Sequence, residues 1–435
     1  FPYTNFHELN LDWIIKKMKE DSELVQAGVK DIETVKQEIE KMLAEMDVII
    51  DAKVEQAIEN AIESGEFVDI IAAVANKNIY YCVYPNMSQT AIQTAINEHT
   101  AIKFTPGTYY VYIPEINDYG YSIPSNRIVF FDDATIIKNG NFEHEYDSVL
   151  LVNNVENVRL FGNGTINYNR EMTQLPSGEH GMCCTVFEST NVYIDGLKFI
   201  NAFGDGLYLN NNTDVYINNI LCNNNRRNGI SIISGQNYNI ENSIFTNSIG
   251  TAPEAGIAIE TNYTTDILKN INIRNCKCSG NQATDDVYIT IFSDNASVLL
   301  DNIEVEQTPP IYTSGANCTV KIINSRFKTK ASSAIFKLNT GSNNNIIYQN
   351  CFIDGLNGAT DLISYEGSYC ENVYILDCII VNCTLTGRAV LARGSRDEVG
   401  NIHIKLFTKN VSIDAPVMVF ASARTNPDIE WSIEN

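Results

Sequence analysis

The sequence is short of basic charge and of histidine, and it has no long apolar run. Only 30 Lys and Arg stand against 53 Asp and Glu, a net charge of −23. Clustered cations are what phosphate contacts need, so nucleic-acid binding is excluded as a function class. Attraction to an anionic membrane surface is disfavoured for the same reason. No stretch reaches the roughly 18–20 apolar residues of a membrane span, so no membrane insertion is expected. Phe1-Pro2-Tyr3-Thr4-Asn5 has neither a basic segment nor an apolar one, so no signal peptide is expected, and a first residue other than Met suggests processing or trimming.

Metal-type cysteine spacing is also missing. The 11 cysteines, an odd number, run from Cys82 to Cys383, and Cys183/Cys184 and Cys276/Cys278 lack partners at zinc-site spacing. Several fall on apolar strand positions, where a free thiol acts as a small hydrophobe. No cofactor is expected. Asp285/Asp286 is the one place for a divalent cation, and it lacks a full ligand set.

What is present is enough for a large core: 44 % hydrophobic residues, with 19 % charged, too few for a disordered chain. A length of 435 residues calls for several domains or one long repeat stack. In the first part, Met18, Val25, Ile32, Ile39 and Met46 recur every seven residues, with Val35, Met42 and Ile49 three residues after the last three. That a/d stripe predicts a helical coiled-coil rod over 15–66, although Gly28 and Lys53 weaken its register. A seam so narrow cannot be buried within one chain, so a homotrimer is expected; the competing reading is an amphipathic helix lying on the next domain. Ahead of the rod, residues 1–14 carry Phe6, Leu9, Leu11 and Trp13, a segment suited to docking on another protein.

The remainder is repetitive. Ile194, Ile217, Ile240, Ile273, Leu300, Ile322, Tyr348 and Ile375 each open a similar hexapeptide, at steps of 23, 23, 33, 27, 22, 26 and 27 residues. Positions 1, 4 and 6 are apolar or small, as in a strand with one buried face. Position 3 is Asn in six consecutive copies from Asn219 to Asn350. Coils of this size cannot bury a face alone, but stacked coils form one continuous core with identical residues in ladders. Asn suits the tight bends, because it tolerates left-handed backbone and bonds the next Asn along the ladder. The fold class is therefore all-β, a parallel β-helix preceded by an N-terminal α-helical coiled coil. The fixed Leu-x-x-Leu-x-Leu of leucine-rich repeats is absent. A helix at 90–98 is placed to cover the open end of the core. The expected organisation is attachment segment 1–14, rod 15–66, linker and cap 67–127, β-helix 128–400, and C-terminal strands or cap 401–435.

In each coil a further strand gives a lateral strip. Leu207, Ile230, Ile257 and Val287 are expected to point inward, and Tyr208, Ser231, Ala258 and Tyr288 outward. Asp205, Arg226-Arg227 with Asn228, Glu254 and Asp285-Asp286 stand just before these strands, and Glu260 shares the outward face. Sugar cleavage needs two carboxylates about 5–9.5 Å apart. Asp205, Glu254 and Glu260 are thus the catalytic candidates, expected at the solvent face. Arg226, Arg227, Tyr208, Asn228, Tyr288 and Asp286 are the substrate-binding candidates, the arginines for anionic groups and the tyrosines for sugar rings.

Several motifs carry a family resemblance. The helix, Pro106-Gly107-Thr108-Tyr109 and Gly162-Asn163-Gly164-Thr165-Ile166 resemble the start of pectate-lyase-like proteins, which implies a right-handed parallel β-helix over roughly residues 80–400. That superfamily includes lyases, hydrolases, epimerases and inactive binders, so fold does not settle function. The run Asn5-Phe6-His7-Glu8-Leu9-Asn10-Leu11-Asp12-Trp13 resembles the attachment segment of phage tail and appendage proteins. Together they imply a phage tailspike in the virion, joined to tail or collar proteins and depolymerising a bacterial surface polysaccharide or teichoic acid. In similar proteins the last strip strand reads G-I-D-I-E, whereas this chain has Ala258 at the Asp, which keeps a non-catalytic receptor-binding spike open. A polygalacturonase G-H-G is absent, and His7, His99, His144, His180 and His403 are expected outside the strip. For lyase chemistry, Arg226 or Arg227 is the base candidate. A secreted pectinase-like enzyme is disfavoured, since it leaves the heptads unexplained.

Overall fold

The computed structural model describes residues 80–382, apart from 114–118, 141–146, 173–178, 283–285, 329–334, 340, 361–362, 366–368 and 371, and strand backbones from there to 434. Side chains are described to 356 and again over 372–382. The attachment segment 1–14, the rod 15–66 and Asp285 lie outside the described residues.

Most coils contribute one strand to a 12-stranded sheet and two to a 24-stranded sheet, the two merging into one long strand at Val373–Leu385 and Ile402–Ile413, and every registered pairing is parallel. This is a parallel β-helix. The hexapeptides are in register as their sequence alignment predicts: Ile194, Ile217, Ile240, Ile273, Leu300, Ile322, Tyr348 and Ile375 face one another from coil to coil. All eight are fully buried, and burying each such side chain contributes about 1.5–3 kcal/mol. The parallel ladder begins ahead of residue 128, where Ala101–Phe104 pairs with Arg127–Phe131, and it passes residue 400, where Ile402–Ile413 pairs with Ile429–Glu434.

The helix Gln89–Glu98 starts at Ser88, whose side chain accepts from the Ala91 N–H at 3.2 Å. It buries Ile92, Ala95 and Ile96 against the first coil. Gln89 and Gln93 tie it to the backbone of Tyr112, Gly120 and Ser122. The end of the core is thereby closed and the first strands are not left as an open edge.

The bend after each hexapeptide's second residue is left-handed throughout. Asn219, Asn242, Asn275, Asn302, Asn324 and Asn350 have φ between 51° and 54°, and Gly196 and Asp377 take the same place with φ of 74° and 52°. Their amides form the ladder: Asn302 donates to Asn275 at 2.8 Å, Asn275 to Asn242 at 3.3 Å, and Asn242 to Asn218 at 2.8 Å. Asn242 and Asn324 each reach instead the residue before the neighbouring bend, Asn218 and Asp301. Two variants separate backbone from ladder. Asn275→Gly keeps the φ and loses only the hydrogen bonds, about 1 kcal/mol. Asn275→Ala adds the left-handed penalty of about 1–2 kcal/mol. Urea unfolding should therefore rank Ala below Gly below wild type.

Nine described cysteines are free thiols, and all but Cys82 are buried. Burial pushes the thiols of Cys183 and Cys276 up to about 12, so they act as core hydrophobes rather than nucleophiles. One cation is also internal: Lys138, 1 % exposed, donates to Tyr168 Oη at 2.9 Å, and Tyr168 donates to Asp147 at 2.6 Å.

Candidate functional site

The lateral strip is formed by Leu207–Asn210, Ile230–Ile232, Ile257–Glu260 and Val287–Ile291. Tyr208, Ser231, Ala258 and Tyr288 stand in register along it, and Leu207, Ile230, Ile257 and Val287 are buried inward, as expected from the sequence. Tyr208 and Tyr288 are half-buried, whereas Ser231 and Ala258 are outward in register yet fully covered. The turns beside them close over the middle of the strip.

Asp205 does not lie at the solvent face. It is 0 % exposed, and its carboxylate accepts from the Asn228 N–H at 3.0 Å, Ser231 Oγ at 2.7 Å and Arg227 Nη1 at 3.2 Å. The bend Gly204-Asp205-Gly206 explains the burial. A Cβ at Gly204 would sit 2.4 Å from the Glu179 carbonyl, and one at Gly206 2.5 Å from the Asn225 amide. Two bare positions let neighbouring coils close over the acid between them. Burial pushes Asp205 above the usual carboxylate range, while Arg227 and its hydrogen bonds pull it back.

Arg227 is the centre of the site. Its guanidinium meets Asp205 at 3.2 Å, Glu260 at 3.4 Å and Glu179 at 3.7 Å, with 13 % of its side chain exposed. Burial alone would lower its pKa, but the three carboxylates carry it above the usual value. Glu260 and Glu179 reach solvent, with side chains 26 % and 57 % exposed. Burial raises the Glu260 pKa against the pull of Arg227. One guanidinium touching both keeps these two carboxylates within the roughly 9.5 Å limit for paired acids on a glycosidic bond.

The other expected site residues are held by contacts within and between coils. Asn228 is buried; its amide donates to Ser231 Oγ and accepts from the Ala255 N–H, which staples adjacent coils. Asp286 is 3 % exposed and accepts from Asn281 and the Glu306 N–H, again between coils. Glu254, at φ 55°, accepts from the Gly250 N–H at 2.6 Å and closes its own loop. Arg226 turns away from Arg227 and lies over Phe203, 4.3 Å from the ring centre. Among the described residues, no group of three or more His, Cys, Asp or Glu side chains is placed to hold a metal ion.

Glu179 is the site residue that sequence alignment misses. It precedes Met182–Phe187 without any repeat register to place it. The backbone of His180, expected outside the strip, packs against Gly204 at its edge. Gly181 follows, with φ 109°, and a Cβ there would lie 2.8 Å from Tyr168 Oη. The Lys138–Asp147–Tyr168 cluster thus supports the segment that carries Glu179.

A family model described as the right-handed beta helix region matches residues 116–270. The stack is a right-handed parallel β-helix. No curated protein matches the chain. Solved structures with a similar course include PfbA, a surface adhesin of Streptococcus pneumoniae, at 13 % identity over 75 % of this chain and 87 % of that one, with a TM-score of 0.46. The catalytic domain of a GH87 α-1,3-glucanase, bearing D1045A and bound to nigerose, gives 10 % identity over 80 % and 69 %, TM-score 0.49. The tailspike gp49 of the Acinetobacter baumannii bacteriophage Fri1, a capsular polysaccharide depolymerase, gives 15 % over 81 % and 67 %, TM-score 0.40. Identities this low speak to the fold alone.

Proposed function

We propose that the strip binds a bacterial surface polysaccharide and cleaves it by hydrolysis, with Glu260 as general acid and Glu179 as general base. One observation carries this reading: two solvent-reaching carboxylates lie against a single guanidinium, on a strip that also carries half-buried Tyr208 and Tyr288. Burial raises the Glu260 pKa, which suits it to give a proton to the glycosidic oxygen. Glu179 would take the proton of the water attacking the anomeric carbon, the inverting arrangement. Asp205 cannot touch the substrate and instead orients Arg227. The Asn5–Trp13 segment and the heptads support placing this activity on a homotrimeric phage appendage in the virion.

Ala258 favours a second reading, a receptor-binding spike that holds its polymer without cutting it. The test is incubation of the full chain with a panel of bacterial wall and capsular glycans, followed by chain length and new reducing ends. Shortening of one glycan supports hydrolysis. Tight binding with no shortening across the panel leaves the spike reading and removes the enzyme.

A further inference from the structure

We infer that Tyr263 and Phe292 form an aromatic platform for a pyranose ring beside Glu260, so that the polymer on the strip is an uncharged, ring-bearing polysaccharide and not a phosphodiester chain. This rests on reading the strip as a glycan site; it adds the residues that seat the sugar and the chemical class they select.

The platform exists because one coil carries extra chain. From Ile230–Ile232 the backbone passes to Gly235–Glu241 through residues 233–234 alone, whereas residues 261–267 stand between Ile257–Glu260 and Leu268–Arg274. The Asp266 carboxylate accepts from the Asn262 N–H at 2.7 Å and the Tyr263 N–H at 2.8 Å, and the Ile267 N–H donates to Ser234 Oγ at 3.0 Å. Thr261 is fully buried, and its hydroxyl accepts from the Phe292 N–H of the next coil at 2.7 Å. The loop is therefore fixed by its own bonds and needs little ordering when a ligand arrives.

What this fixed loop presents is apolar. Tyr263 is 69 % exposed, the most exposed large hydrophobic side chain among the described residues. The pairing of Glu260 with Thr290 sets Phe292, 40 % exposed, opposite the start of the same loop. Exposed rings rimmed by polar groups mark a binding surface. A pyranose has the matching chemistry, an apolar C–H face for the rings and hydroxyls for the polar rim. The platform adjoins the acids: Tyr263 is three residues past Glu260, so their Cα atoms lie within about 11 Å. Asp266 on the loop is within electrostatic reach of Tyr208, since burial first, then Asp205 and Asp266, push that phenol up to about 12. The charge of the site selects against anions. Three carboxylates share the guanidinium of Arg227, and the whole chain carries −23. A phosphodiester chain is repelled there and has no ring to stack.

The test measures binding of the full chain to dextran and neutral bacterial capsular glycans, to polygalacturonate and to poly(glycerol phosphate), at two salt concentrations. Wild type should bind a neutral polymer, with an affinity that salt hardly changes. Tyr263→Ala with Phe292→Ala should lower that affinity about tenfold or more, and Tyr263→Phe should stay near wild type because the ring remains. Tyr110→Ala removes a ring that is 65 % exposed on another coil and should leave binding unchanged. Unchanged affinity in the alanine pair, or an equal loss in Tyr110→Ala, overturns the platform while leaving the glycan reading intact. Preference for polygalacturonate or poly(glycerol phosphate) overturns the neutral assignment. Binding of no polymer counts against the glycan reading itself and takes the platform with it. Tyr263→Ala alone, at the more exposed position, keeps the test decisive if the alanine pair does not fold.

Discussion

Arg227→Gln should destabilise the coils around residues 205–260 by about 3–5 kcal/mol, the penalty for leaving a buried charge without its partner. The size follows from what stays behind. Asp205 is 0 % exposed and would keep only Ser231 and the Asn228 N–H, while Glu260 and Glu179 lose the cation between them. Urea unfolding, with limited proteolysis as a local readout, would measure the loss. Asp205→Asn should cost less, and the double variant should cost less than the two single losses together, because the amide removes the charge that Arg227 neutralises. The pH dependence has a definite sign. Asp205 is already shifted upward by burial, and removing Arg227 removes the largest opposing influence. A carboxyl whose folded pKa is raised stabilises the fold below its unfolded pKa and loses that contribution as pH rises through the folded value. The Arg227→Gln defect should therefore shrink toward pH 4 and be full at pH 8. A defect independent of pH, or equal to that of a surface arginine, would show that Asp205 is not held as an ion.

The stack was legible because its repeat is a one-dimensional signal. Ile194, Ile217 and Ile240 recur with Asn at the following bend, and identical spacing in sequence becomes identical register in space. The outward series Tyr208, Ser231, Ala258 and Tyr288 follows from the same alternation. What alternation does not reveal is how far the turns close over the strip. Ser231 faces outward and is nevertheless buried, because the turns carrying Asp205 and Arg227 meet above it. Asp205, Asn228 and Asp286 have the residue types of a binding site, and each is consumed by bonds between coils. The adjacent Arg226 and Arg227 read as one basic doublet, yet consecutive residues in a bend point to opposite sides, one to Phe203 and one to the acids. Glu179 escaped notice because it stands outside the hexapeptide repeats, where there is no register to align.

Glu260→Gln should lower glycan cleavage by about 10²–10⁴-fold, the usual contribution of a positioned acid or base. Glu179→Gln should do the same, and binding of the polymer should persist in both. Stability should change little, since both side chains reach solvent and Arg227 keeps its buried partner. That contrast distinguishes them from Asp205, whose substitution acts through Arg227 and through folding. The pH profile separates the two glutamates. Because burial raises the Glu260 pKa, its proton is held below the raised value and lost as pH rises through it. Wild-type cleavage should thus fall on the alkaline side with that group, and Glu260→Gln should flatten this limb in whatever rate remains. The measurement is initial rate of new reducing ends from pH 4 to 9, with binding followed in parallel. If Glu260→Gln cleaves at the wild-type rate, the proton comes from elsewhere, and the three acids on Arg227 serve only to lock neighbouring coils together.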